Sequence, residues 1–160
     1  MIALLLCLAM AAAEPAPAPV VKTAVELMDP AVKAARIEKV TADLATKESR
    51  AKELPLLILR ARPHGGSIKS QEPFEQMTKE QTELLSILPK LRTESRWLRG
   101  EVTPASAEFA VKTTKEEYDA AVKANRMTRA MELKLEAVNA ELSEVKRLEE
   151  AEKPKTPEPN

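Results

Sequence analysis

Apolar side chains recur every three or four positions along three long stretches of this chain, which is the spacing of one face of a helix and not the two-residue alternation of a strand. The first stretch opens at Asp29-Pro30, an N-cap residue followed by proline at the first helical position, where its missing N–H costs least. Ile37, Val40, Leu44, Ala51 and Leu54 then form one stripe, with Lys47 filling a seam position. Pro55 is expected to kink or end that helix. The run Leu56-Leu57-Ile58-Leu59 reads either as a further helical turn or as a short strand, and Arg60 to Ser67 reads as a loop broken by Pro63 and Gly65-Gly66.

The second stretch keeps a near-strict seven-residue pattern through Phe74, Met77, Gln81, Leu84, Leu88, Leu91, Ser95 and Leu98. Thr78 and Gln81 have the spacing of a capping box, Pro89 implies a bend near Gln81–Ser86, and Gly100 is the expected stop. The third starts either at Thr103-Pro104 or at a second capping-box pattern, Thr114 to Glu117, and runs through Met127, Met131, Leu135, Val138, Leu142 and Val145. From Thr114 to Glu152 it would extend roughly 58 Å, so its far end must project, pair with another chain or fray. These patterns predict an all-α fold: an elongated three-helix hairpin, bundle or coiled coil, with helices at about 30–59, 74–99 and 104–152.

The flanks read differently. Residues 2–13 are apolar or small, too short to span a bilayer, and end in Ala11-Ala12-Ala13. They predict a signal peptide over 1–13 and hence a secreted or periplasmic protein, although no Lys or Arg precedes the apolar run. An uncleaved anchor is the rival. Residues 14–28 are expected to be a Pro-rich spacer, 29–152 the helical domain and 153–160 a disordered tail. Cys7 lies in the leader, so the mature chain would hold no thiol.

Composition supports long helices, since aromatics are 2% and charged residues 31%, with three glycines. A core must come from Leu, Ile, Val, Met and Ala. The formal net charge is zero, which argues against nucleic acid as partner. Charge is uneven, however: residues 31–70 carry nine basic and four acidic side chains, and residues 101–160 carry ten basic and thirteen acidic. Helices of opposite sign can select each other as neighbours.

Nothing in the sequence points to catalysis, a metal or a cofactor. His64 is the lone histidine, set between Pro63 and Gly65, and pairs such as Glu116-Glu117 and Glu149-Glu150 read as solvated helix faces. The expected function is that of an exported, non-enzymatic helical scaffold. It would bind a protein partner or a second copy through Met77, Leu84, Leu88, Leu91, Met127, Met131, Leu135, Val138 and Leu142. The basic residues Arg60, Arg62 and Lys69 beside Leu56–Leu59 suit an anionic membrane surface, and lipid binding by amphipathic helices ranks below a protein partner.

The stretch Met77-Thr78-Lys79-Glu80-Gln81, opening a charged helix, resembles the LTxxQ motif of Spy/CpxP-like periplasmic proteins, with Met77 in place of the motif's leucine. The resemblance implies a small helical protein and, as an alternative function, an ATP-independent chaperone with a partner-accepting surface. A second copy of the motif is lacking: Val102-Thr103-Pro104 and Thr156-Pro157-Glu158 have no glutamine at the matching position. The family's metal-resistance branch uses several ligands where this chain has one histidine, so no metal site carries over.

Overall fold

The computed structural model describes residues 22–61 and 71–153. The expected signal peptide, the first part of the expected spacer, the stretch 62–70 with His64 and residues 154–160 of the expected tail lie outside the described residues. Every regular element among those described is an α-helix: α1 (Ala24–Leu27), α2 (Pro30–Ala61), α3 (Gln71–Leu98), α4 (Pro104–Lys123) and α5 (Arg129–Glu152). Helix α2 packs along α3 and α4 along α5, forming two hairpins. They join where α3 meets α5, and α1 lies on α5. The all-α bundle expected from the periodicity is the fold.

Both hairpins are antiparallel. Arg36 pairs with Glu94 and Arg50 with Glu80 across α2 and α3, while Lys146 pairs with Glu108 and Lys134 with Glu117 across α5 and α4. Helices α3 and α5 meet near their C-terminal parts, where Arg96 pairs with Glu141 and the Trp97 indole bonds to Glu149. The opposite-sign halves of the sequence meet through Arg36 and Glu152. The other ion pairs of α2 with another helix go to α3, so net charge does not organise the packing.

The core sits where the hairpins join. Val40, Trp97, Leu98, Val102, Ala107, Val145 and Leu148 are buried there with Ala24 and Val25 of α1, and Met28, Ile37, Leu91 and Leu142 pack against them. Along α3 the change is visible residue by residue. From Phe74 to Leu88 one stripe is sheltered, facing α2, whereas beyond it Thr93, Ser95, Trp97 and Leu98 are buried on several sides. Away from the core, Leu54, Leu84 and Leu88 are buried in the first hairpin, Leu54 fully. Ala107, Val111, Thr114, Tyr118 and Ala121 recur at alternating spacings of four and three along α4 and supply the sheltered face of the second hairpin. Ala107, Thr114 and Ala121 among them are small, which suits close helix approach.

Several expectations are corrected. Residues 24–27, expected in the spacer, form a helical turn docked on the core. The single helix expected over 104–152 is two helices, because Asn125 takes a left-handed conformation (φ 52°). Asn125 N–H donates to the Val122 carbonyl (3.0 Å) and Arg126 N–H to that of Ala121 (2.8 Å), closing a Schellman cap. Gly100 (φ 75°) closes α3 in the same way, through Gly100 N–H to Trp97 and Glu101 N–H to Arg96. That stop is where the sequence placed it.

Neither candidate capping box at Thr78 or Thr114 caps a helix. The Thr78 hydroxyl donates to the Phe74 carbonyl (2.8 Å) inside α3, and Thr114 is buried in the middle of α4. The cap of α4 is Thr103, whose hydroxyl accepts from Ser106 N–H (3.2 Å) while the Ser106 hydroxyl accepts from Thr103 N–H (2.9 Å). Asp29 caps α2 as expected, its carboxylate accepting from Ala31 and Val32 N–H. Helix α2 continues through Pro55 to Ala61, so Leu56–Leu59 are helical, and α3 continues through Pro89. Both prolines are exposed, where water reaches the backbone that loses its N–H partner.

Candidate interaction surface

The helix seams divide into residues the chain uses on itself and residues it leaves accessible. Leu84 and Leu88 are buried, and Leu91 and Leu142 pack on the core. Met77, Met131, Leu135 and Val138 are half-buried along the outer parts of the hairpins, and Met127 is exposed in the turn between α4 and α5. The nine residues therefore do not form one surface: they fall on two hairpins, and four of them are engaged in the chain's own packing.

Other apolar side chains are barer. Leu56 and Leu59 on α2 are 61% and 65% exposed, and Leu85 on α3 is 66% exposed. Phe109, Val122 and Leu133 are exposed on the second hairpin. The α2–α3 hairpin carries a shallow groove of about 350 Å³ lined by Pro55, Ile58, Leu59, Phe74 and Gln81. A second groove, of about 540 Å³, lies between α4 and α5. Tyr118, Arg129, Glu132, Leu135, Glu136 and Asn139 line it, and Arg129 bridges to both glutamates. Its lining is more polar. The sequence reading missed Leu85 and Phe109 because each lies off the dominant stripe, where periodicity gives no signal.

A polar knot holds the joined end. Glu149 is buried, and its two carboxylate oxygens accept from Ala24 N–H (2.9 Å) and from the Trp97 indole N–H (2.9 Å). It is not the solvated residue that its place beside Glu150 suggested, because the seam Val138, Leu142, Val145 continues to position 149. Arg36 lies over the Trp97 ring, 5.7 Å from its centroid, and bridges to Glu94 and Glu152. Burial works against the charge on Arg36, and the bonds to the two glutamates more than offset it, leaving its pKa above the usual value. The knot ties α1, α2, α3 and α5 together. Among the described residues no buried side-chain nitrogen or oxygen lacks a partner, which suits a structural clasp.

Among the described residues, no group of three or more His, Cys, Asp or Glu is placed to hold a metal ion, and no helix is long and apolar enough to cross a membrane. What these elements define is an all-α bundle of two hairpins, each with a shallow groove, the first mainly apolar and the second more polar. Comparison with protein-family models, with curated proteins and with solved structures finds no match.

Proposed function

We propose that this chain is an exported, non-enzymatic helical scaffold that binds a protein partner or a second copy of itself. The observation that carries the reading is the exposure of three large aliphatic side chains on the α2–α3 hairpin, Leu56, Leu59 and Leu85, with Leu59 lining its groove, on helices whose inner seams are already filled. Solvent-facing leucines cost solubility, and several on one hairpin mark a surface for a partner. Binding then uses the outer face of the α2–α3 hairpin together with Met77, and the inner-seam leucines serve the fold.

A photo-crosslinking side chain at position 85 tests this. The expected result is a discrete adduct, with a second copy or with one other protein of the exported fraction, which disappears in an L56S/L59S variant of unchanged helicity. Absence of any adduct, with a monomer at every concentration, would overturn the reading. Export predicts a mature protein beginning at Glu14, read by mass spectrometry of its N-terminus.

One observation favours a chaperone-like version of the same surface: Gln81, from the Met77–Gln81 stretch that resembles the Spy/CpxP-like motif, lines the apolar groove. That version predicts suppression of aggregation of an unfolded client without ATP, lost in the Leu59→Ser variant.

A further inference from the structure

Helix α1 is one turn long, and a single turn does not hold itself in water, so it is folded only while it lies on α5. Its hold on the base is small. Ala24 and Val25 are buried there and Met28 packs beside them, while Leu27 is 62% exposed. Among the described residues, one hydrogen bond joins α1 to another element, from Ala24 N–H to the Glu149 carboxylate (2.9 Å), and no ion pair does. The Glu26 carboxylate accepts from Thr23 N–H (2.8 Å) within the turn itself. The start of α2, for its part, takes nothing from α1. Asp29 caps it with its own carboxylate, which accepts from Ala31 and Val32 N–H, and the Asp29 carbonyl accepts from Lys33 N–H. Met28 is extended, and Pro30 disfavours helical backbone at the residue before it, so the helical path is broken between α1 and α2.

We propose that α1 is a detachable strap: it leaves α5 and returns while both hairpins stay folded, with Glu149 as its catch. Segments open according to the contacts they give up, and α1 gives up two buried side chains no larger than valine, part of a methionine and one hydrogen bond between elements. The base keeps its other ties when the strap is off. Glu149 still accepts from the Trp97 indole N–H, and Arg36 still bridges Glu94 and Glu152. Release bares the apolar surface that Ala24 and Val25 cover and frees one Glu149 oxygen. The strap therefore switches the base between a covered and a bare state, independently of the leucines on the α2–α3 hairpin.

Native-state hydrogen exchange of the full chain, read amide by amide by NMR, tests this. The Ala24 amide is bonded to Glu149, and those of Glu26 and Leu27 to the Thr23 carbonyl, so all three are protected only while the strap is docked. After correction for intrinsic rates they should exchange on the order of a hundredfold faster than the amides around Val145 and Leu148, yet slower than in an unfolded peptide. Their rates should change little in low urea, because opening exposes little surface. Val25→Ser should quicken these three amides by on the order of a further tenfold and leave α2 to α5 at their original rates. Leu27→Ser, at the exposed position of the same turn, should leave them near the rates of the unmodified chain. Exchange of the three amides no faster than that of α5, or a Val25→Ser protein in which α3 and α5 quicken with α1, would show that α1 opens only with the base and overturn the proposal. Exchange at the rate of an unfolded peptide would show that the strap does not dock and overturn it as well.

Discussion

Glu149 is the residue on which α1, α3 and α5 converge, and its cost if removed can be reasoned from its two partners. Glu149→Ala leaves the Ala24 amide and the Trp97 indole N–H buried without an acceptor, a loss of about 2–4 kcal/mol from two unmatched donors. Glu149→Gln keeps one acceptor oxygen and should lose roughly half as much. Trp97 is the chain's only tryptophan, so its fluorescence in a urea titration reads the effect at the site itself. Equal stability of the Ala variant and the unmodified chain would show that the knot is ornamental. The signal for Glu149 was present in the sequence as the next step of a spacing of three and four, but a glutamate at that step reads as surface until a buried donor is known to face it. The docked turn α1 had a comparable signal, since Thr23 and Glu26 have capping-box spacing and the Glu26 carboxylate accepts from Thr23 N–H (2.8 Å). Its place beside a proline-rich segment masked that signal.

Elements are held to each other by ion pairs as well as by seams, and the pairs make the first hairpin sensitive to acid. Arg50 grips Glu80 through two parallel hydrogen bonds (2.7 and 2.8 Å), and those bonds hold the Glu80 carboxyl below its usual pKa. A carboxyl depressed in the folded state contributes its stability above the unfolded value, about 4.3, and loses it as the pH falls through the lower folded value. Glu144, lowered by its hydrogen bond from Arg147 and by Lys90, follows the same sign. Glu80→Gln should therefore be less stable than the unmodified chain near neutrality and lose less on acidification. Urea midpoints at neutral pH and across the acid carboxylate range measure both, and parallel pH profiles would sink the assignment. At this scale the seams were legible in detail: Met131, Leu135, Val138, Leu142 and Val145 on α5, and Phe74 to Leu98 on α3, are sheltered at the expected steps. Helix ends were not. A threonine three residues before a glutamate or glutamine marks a start only if the apolar stripe does not already run upstream of it, as it does through Phe74. Asn125 ended a helix that residue periodicity alone carried onward, because its left-handed conformation depends on the two carbonyls it leaves to be capped.

Burial across the whole molecule is graded, from a base where helices are enclosed on several sides to hairpin arms sheltered along one stripe. The gradient has a measurable consequence, since regions open locally according to how much apolar contact holds them. Leu148 and Leu54 are both essentially fully buried, but Leu148 sits in the base shared by the two hairpins and Leu54 in the α2–α3 arm alone. Truncation to alanine removes the same side chain at either place, at about 2–5 kcal/mol. Native-state hydrogen exchange should separate them. Leu54→Ala should speed exchange in α2 and α3 beyond the core and leave α4 and α5 at their original rates. Leu148→Ala should speed exchange in both hairpins, because each is tethered through the base it weakens. Loss of protection in α4 and α5 of the Leu54→Ala protein would mean that the arms open only with the whole. A surface presented by one arm to a protein partner would then open no more readily than the core itself.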